Sequence, residues 1–367
     1  VAIFIAKICT LICLASFCQQ HLGVTHKGDL TTMIGQTFDE VFSFRNLYLS
    51  CKKCYKGVNW KTSTQKYRLN ALCNVAKTYN ELKAGKYKSK GFYVFRIRER
   101  GKVRTIKSIH ISERVVQKCL CDNCLVPVLS KSLIYDNGAC LKGKGLNFTT
   151  ERLKAHLQQY YRKNNYSNKG FVLTFDFSKF FESIPHEMLK QKVAKKIQDP
   201  KIISLYNYFV DQFENNVGLG LGSQISQISA LFYISNFDHY VKEKLHIKYY
   251  GRYMDDGYLI HHDKEYLKTC LREILRLATE MGLKINLKKT RITKLENGFM
   301  FLNRHWHLTE KGYIKTKPSH KTMVRLRRKY RKLKTFASDE QIKTFLGSVS
   351  GFLKFYKNER LFNYVKT

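Results

Sequence analysis

Three aspartates stand out in a chain with few acids. Asp176 closes an apolar run, GFVLTFDF (170–177), and Asp255 and Asp256 sit side by side in YYGRYMDDGYLIHHD. Adjacent carboxylates repel, and a buried charge is costly unless something pairs with it. The first run reads as a buried strand ending at Asp176. The second reads as a β-hairpin with its turn near the aspartates. The two places lie 79 positions apart (255 minus 176), and two such strands can be neighbours in an antiparallel sheet. Three carboxylates then converge at one edge. Oxygen ligands of that kind select Mg²⁺, with Mn²⁺ as the other candidate. Two ions roughly 3.5–4 Å apart clamp the attacking and leaving oxygens of a phosphoryl transfer. The local alternative is a type I′ turn, for which DDG is good chemistry. Asp176 and the charge of the whole chain weigh against it.

That charge is large. Lys and Arg number 66 against 28 Asp and Glu in 367 residues, a net +38. Such an excess destabilises a compact fold by self-repulsion unless a polyanion is bound, so nucleic acid is the expected partner ahead of an acidic membrane surface. A hydrophobic content of 44% supports an ordinary core and excludes disorder. The 11 cysteines are irregularly spaced in a long, Lys-rich chain, which reads as reduced thiols and a cytoplasmic location. CKKC (Cys51, Cys54) and CLCDNC (Cys119, Cys121, Cys124) are the zinc candidates, although neither is followed by a second tight ligand pair. The opening, VAIFIAKICTLICLASFC, is an apolar run broken by Lys7. Its length is at the lower limit for a spanning helix, and it also resembles a signal-peptide core. Both conflict with the rest of the chain. The expectation is that residues 1–32 are an upstream extension or a dispensable arm, that Met33 precedes the regular opening, and that no membrane is involved.

The elements that must position the acids follow from periodicity. Residues from about 35 to 90 read as helices with basic faces. GFYVFRIRERGKVRTIKSI alternates as a hairpin, and SERVVQKCLCDNCLVPVLSKSLI reads as a Ser-capped helix. PHEMLKQKVAKKI is a helix. SQISALFYISNFDHYVKEKL is a longer one, entered from the Gly-rich GLGLGS. KEYLKTCLREILRLATEMGLKIN is an amphipathic helix ended by Gly282, and the tail from 315 to 367 is basic and mainly helical. Runs of this order give an α+β fold rather than alternating β/α units.

With these elements in place, YMDD between apolar flanks, FDFSKFFESIPH before it and GSQISQ between them resemble a reverse transcriptase. The resemblance runs from about Tyr93 to the C-terminus. It implies a right-hand polymerase fold: fingers at 91–169, a palm at 170–312 with fingers helices near 187–212, and a small basic helical thumb at 313–367, behind an N-terminal helical region at 33–90. It implies two Mg²⁺ ions, an RNA template with an RNA or DNA primer, and deoxynucleoside triphosphates. By that resemblance Asp176 and Asp255 are the shared metal ligands, Asp256 their partner, and Phe177 offers a backbone carbonyl to metal. Phe181 matches the aromatic gate that excludes a 2′-hydroxyl. Lys102 and Arg104 match the hairpin that holds the triphosphate. Gly222, Ser226 and Gln227 match the segment under the template base. Lys289 matches the general acid for pyrophosphate release. Phe301 and Leu302 in FMFLNRHW match the primer grip, with Asn303 where Gly is usual. Arg327, Arg328 and Arg331 match a thumb surface running along duplex phosphates.

Departures from the common pattern narrow the subfamily. Leu221 stands where most retroviral and intron enzymes carry Gln, and Gln227 where they carry Pro. LGSQISQ, with the C-terminal SVSGFLKFYKN, resembles the diversity-generating retroelement group. That resemblance implies low fidelity, with Leu221 offering the nucleotide only non-directional contact, and a small basic accessory protein. Leu141 replaces the Arg frequent in that group, which keeps a related antiphage-defence lineage open. No endonuclease cluster follows the thumb within these residues, which argues against a homing intron enzyme. The reading from another class is a non-catalytic, maturase-like RNA-binding scaffold, against which the three aspartates count.

Overall fold

The computed structural model describes residues 37–99, 102–356 and 358–367, so the apolar arm expected at 1–32 lies outside the described residues. Four helices come first: α1 (Phe38–Val41), α2 (Phe44–Tyr55), α3 (Thr62–Leu69) and α4 (Ala71–Lys83). Thr37 and Glu40 form a capping box on α1, and the Ser43 hydroxyl caps α2, satisfying amide groups that a helix start leaves free. An antiparallel ribbon follows, β1 (Phe92–Glu99) and β2 (Lys102–Ile109). Then comes α5 (Ile111–Leu120), which passes through a π-turn, Cys121–Leu125, into α6 (Val126–Leu129). The expected cap was Ser112. The helix starts two residues earlier, and His110 caps it through Nδ1, which accepts the Ser112 N–H at 3.2 Å.

Helix α7 (Leu146–Lys163) leads to β3 (Phe171–Ser178), and α8 (His186–Ala194) and α9 (Pro200–Asp211) to α10 (Gln224–Tyr233) and α11 (Ser235–His239). The long helix expected over these last two is broken at Ile234. Lys192 of α8 compensates for the break: its Nζ donates to the Phe232 and Tyr233 carbonyls, each at 2.8 Å, and to the Ser235 hydroxyl at 2.9 Å. Burial of this ammonium brings its pKa down to about 8. The remaining strands are β4 (Tyr249–Tyr253), β5 (Asp256–His261), β6 (Lys284–Ile285), β7 (Arg291–Lys294), β8 (Phe299–Phe301), β9 (Arg304–Leu308) and β10 (Ile314–Pro318). Helix α12 (Lys264–Glu280) lies between β5 and β6, and α13 (His320–Phe336), α14 (Asp339–Leu353) and α15 (Glu359–Lys366) close the chain.

Besides the β1–β2 ribbon, two antiparallel sheets form among the described residues. In the first, β4 pairs with β5 and β5 with β3, while β6 and β7 pair with different stretches of the other edge of β3. The second runs β10-β9-β8. Strand β3 is central, which accounts for its nearly unbroken apolar run. Leu173, Phe175 and Phe177 face a large core shared with α2, α5, α8, α9, α10 and α12, whereas Val172 faces a second core with Leu157, Tyr258, Ile260 and Trp306. Helices α13–α15 enclose a third, around Met323, Tyr330, Phe345 and Val349. The α+β reading holds, with antiparallel sheets flanked by helices. No helix among the described residues is long and apolar enough to cross a membrane.

The five zinc-candidate cysteines are buried free thiols. Cys51 contacts the Tyr55 hydroxyl and Cys119 the Val41 carbonyl. Burial pushes the Cys54 and Cys119 thiols up to about 12, so they stay protonated and pack as small apolar groups.

The hairpin differs from expectation by one position. Its turn residues are Met254 and Asp255, since Tyr253 pairs with Asp256. Met254, not a glycine, takes the positive φ, +54°. Gly257 lies inside β5, where a Cβ would stand 2.3 Å from the Phe175 ring. Its role is close packing beneath the acids, not turn chemistry. Gly257→Ala should therefore destabilise the fold by about 1–3 kcal/mol through overpacking, read from urea unfolding. A variant as stable as the parent would show that the Phe175 ring can move aside freely.

Candidate active site

Asp176 and Asp256 are directly opposed across β3 and β5, so their side chains share a face of the sheet. Asp255 is held beside them by the Phe177 N–H, which donates to its carbonyl at 3.1 Å. Each of the three offers a carboxylate oxygen within 4.8 Å of the others'. Strand β3 runs on to Ser178, so Asp176 lies within the strand, where pairing fixes its direction, rather than at its end. The Asn286 N–H donates to the Asp176 carbonyl at 2.7 Å, and the Lys289 Nζ to its Oδ2 at 2.7 Å.

One ammonium faces three acids. Burial and then Asp176 raise the pKa of Asp255. Burial, then Asp255 and Asp176, push Asp256 up to about 7. The Asp176 hydrogen bond favours the charged form of Lys289. The cluster thus carries more negative charge than the chain itself balances. Its donors are all hard oxygens, which fit Mg²⁺ or Mn²⁺. Among the described residues no other group of three His, Cys, Asp or Glu converges in this way.

What holds the turn is not legible in the local pattern. Arg252 of β4 and Asp238 of α11 are both fully buried. The Arg252 Nε donates to Asp238 Oδ1 at 2.8 Å and its Nη2 to Oδ2 at 2.6 Å. The remaining terminal nitrogen donates to the Met254 carbonyl at 2.6 Å, and the Tyr250 hydroxyl donates to Asp238 at 2.6 Å. A bidentate pair with every group bonded is the one form in which burial of such charges is tolerable. The available signal was a lone Arg in a strand that otherwise reads as buried. On the outer edge of β4, Asp136 accepts from Arg152 at 2.7 Å and Lys242 at 2.9 Å, and its backbone carbonyl accepts the Arg252 N–H.

Other expected site residues are placed unevenly. Phe180 is core, while Phe181 beside it is half-buried, their ring centroids 5.5 Å apart. Lys102 and Arg104 lie on β2, opposite Glu99 and Ile97. Leu221 and Gly222 form the turn before α10; Gly222 is exposed with φ +103°, and Gln227 is half-exposed. Ser226 is buried against the core at 1% exposure. Phe301 is buried against Tyr258, with ring centroids 5.0 Å apart; Leu302 and Asn303 form the turn itself. Both take positive φ, +52° and +59°, as a two-residue hairpin turn of this type requires, and Asn tolerates this nearly as well as the usual Gly. In α13, Arg327 is half-buried over the Tyr364 ring at 4.8 Å, and Arg331 donates to the Thr367 main-chain oxygen. Of that trio Arg328 and Arg331 are the exposed ones.

Residues 88–349, well over half of the chain, match the family described as reverse transcriptase (RNA-dependent DNA polymerase). Among solved structures, telomerase from Candida tropicalis in complex with a TWJ fragment of telomeric RNA is similar at a TM-score of 0.51 and 14% identity, over 78% of this chain and 57% of that one. Telomerase from Candida albicans, also with a TWJ fragment, gives 0.49 and 14% over 76% and 55%. At such identity the likeness is one of fold, and the chain spans little more than half the length of these telomerase chains. No curated protein matches the sequence.

Two outcomes are expected. Arg252→Met leaves Asp238 buried and unpaired and should cost about 3–5 kcal/mol in chemical unfolding, while Arg252→Met with Asp238→Leu should recover much of it. If the double variant is no better than the single, the pair is not what Arg252 contributes. The second concerns protons. Because the folded pKa of Asp256 is raised, the folded state holds its proton more tightly than the unfolded one. Its contribution to stability is present at low pH and is lost between the ordinary carboxylate range and about pH 7. Mg²⁺ replaces that proton, so titration calorimetry in two buffers should show proton release at about pH 6.5 that shrinks by about pH 8.5. Equal heats in both buffers at the lower pH would exclude the acids as the binding site.

Proposed function

The chain belongs to the reverse transcriptase family, and on that premise we propose that it is an RNA-directed DNA polymerase, extending a primer along an RNA template with deoxynucleoside triphosphates. The observation that carries this is the meeting of Asp176, Asp255 and Asp256, one oxygen each within 4.8 Å, inside the matched segment. Divalent cations held by these acids and by the Phe177 carbonyl, Mg²⁺ first, supply Lewis-acid stabilisation of the transferring phosphoryl group. The remaining roles fall to side chains. Lys289, 2.7 Å from Asp176 and favoured in its charged form, has a proton to give to the leaving pyrophosphate. Phe181 rests against the fixed Phe180 ring and excludes a 2′-hydroxyl by bulk. Lys102 and Arg104 bind the triphosphate from the β1–β2 ribbon.

In this reading residues 91–169 serve as fingers and 170–312 as the palm. The helices of 313–367 serve as the thumb, with Arg327, Arg328 and Arg331 along the duplex phosphates. The LGSQISQ and SVSGFLKFYKN stretches support a place among diversity-generating retroelement enzymes. Low fidelity there would follow from Leu221, which lacks an amide to hold the nucleotide in one pose. A small basic accessory protein is the partner this place implies.

Primer extension on an RNA template with Mg²⁺ is the test. Asp255→Asn should lower nucleotide addition by about 10²–10³-fold or more, because it removes charge stabilisation needed mainly in the transition state. RNA affinity should stay within about twofold. Extension by Asp255→Asn at the parental rate would remove the site assignment. A parent that binds RNA tightly and adds no nucleotide would support the scaffold reading instead.

A further inference from the structure

The FLKFY stretch of the C-terminal region has a structural role that the polymerase reading leaves unused. Arg304 opens β9 immediately after the Leu302–Asn303 turn, with its Cα opposite Phe301 on one side and Pro318 on the other. It is only 6% exposed. Its guanidinium carbon lies 3.6 Å from the Phe355 ring centroid and 5.7 Å from that of Tyr356. The Lys154 ammonium of α7 lies 5.3 Å from the same Phe355 ring. Phe355 also packs against both the second and the third core. It therefore joins the helices α13–α15 to the sheet that carries the turn. A second tie is the Ser319 N–H, which donates to the Asn303 carbonyl at 3.1 Å.

The arrangement is not one that stability alone would select. The Arg304 Nη1 is buried with no well-aligned hydrogen-bond partner among the described residues, and a buried polar nitrogen so placed is destabilising. An apolar side chain of similar length would fill the space without that cost. What Arg adds is a flat cation that stacks on an aromatic face in one orientation, which neither Lys nor an aliphatic residue reproduces. Stacking of this kind sets an angle between two bodies, not merely a contact.

We propose that Arg304 is a positioning residue: by clasping Phe355 and Tyr356 it fixes the C-terminal helices to the β8–β9 turn, so that the primer end and the duplex behind it are held as one body. This rests on the reading of those parts as primer grip and thumb. The clasp acts on retention of the duplex and not on the chemical step, since Arg304 is buried away from any bound strand.

The test uses the full chain on a primed RNA template, with an excess of unlabelled duplex as trap. Arg304→Met and Phe355→Leu should each speed dissociation of the labelled duplex, and shorten the product made per encounter, by roughly three- to tenfold. Addition of the first nucleotide from a preformed complex should change by less than about twofold. Combining the two should be no worse than the worse single change, because both break one clasp. Phe355→Trp, which keeps an aromatic face, should behave as the parent. Should Arg304→Met fail to fold, Arg304→Lys decides, and it should lose retention although the charge remains. Unchanged dissociation, a first addition that falls in step with retention, or multiplying effects would each overturn the clasp. A parent chain that adds no nucleotide at all overturns the polymerase reading instead. A parent that retains its duplex no better than the variants overturns the clasp alone.

Discussion

The acid cluster depends on an ion pair that touches none of its carboxylates. Arg252 and Asp238 are removed from water completely, and two isolated charges could not be. They are tolerated because the guanidinium spends two nitrogens on Asp238 and a third on the Met254 carbonyl, while Tyr250 bonds the carboxylate as well. The bond to Met254 reaches the residue of the turn with positive φ. A methionine adopts that conformation only where its surroundings over-determine it. The pair is neutral as a unit, so it fixes the turn without offsetting the acids. The charges that act on Asp255 and Asp256 are the neighbouring carboxylates and Lys289. Position and charge balance are thereby separated: the buried pair supplies the first, and the second is left to cations.

The same strand is held from outside. Asp136 gathers Arg152, Lys242 and His156 beside β4, and its segment exchanges backbone hydrogen bonds with Arg252 in both directions. Against the upward push of burial, His156 first and then Arg152 and Lys242 hold the Asp136 carboxyl well below the usual range. His156, whose burial lowers its own pKa, shares a hydrogen bond with the Tyr258 hydroxyl on β5. Both strands of the hairpin are therefore tied to α7 and to the loop before it. In a sheet whose chemistry depends on the register of Asp176 against Asp256, such ties oppose a slip that would turn the acids to opposite faces.

How much of this could be read in advance depends on range. Local pattern was enough for β3, for the β4–β5 hairpin and for the three acids, because strand periodicity and clustered like charges are properties of a few adjacent residues. It misplaced the turn by one position, since DDG satisfies turn chemistry as well as MDD does. The structure decides through the packing of Phe175 against Gly257. Partners drawn from elsewhere in the chain were invisible. Asp238 reads as one more polar residue in a helix, and Asp136 as part of a loop. Burial of Ser226 and Phe301 was missed for the same reason: family position says which segment meets nucleic acid, but not which side of that segment faces the core.

The basic excess needs a similar correction. Counted from the sequence, +38 suggests phosphate contacts in proportion. In the C-terminal helices much of that charge is built into the fold. Arg327 lies over Tyr364, Lys329 over Phe345, Lys334 over Tyr330 and Lys366 over Phe362. Their aliphatic stems cover a small core that three helices alone would leave half open. A cation over a ring keeps part of its field for solvent, yet it is not free to follow a phosphate wherever one is placed. The region therefore attracts a polyanion through its summed potential, while the side chains held over rings are less free to make individual contacts. Attraction and contact are distributed over different residues, and a net charge reports the first without counting the second.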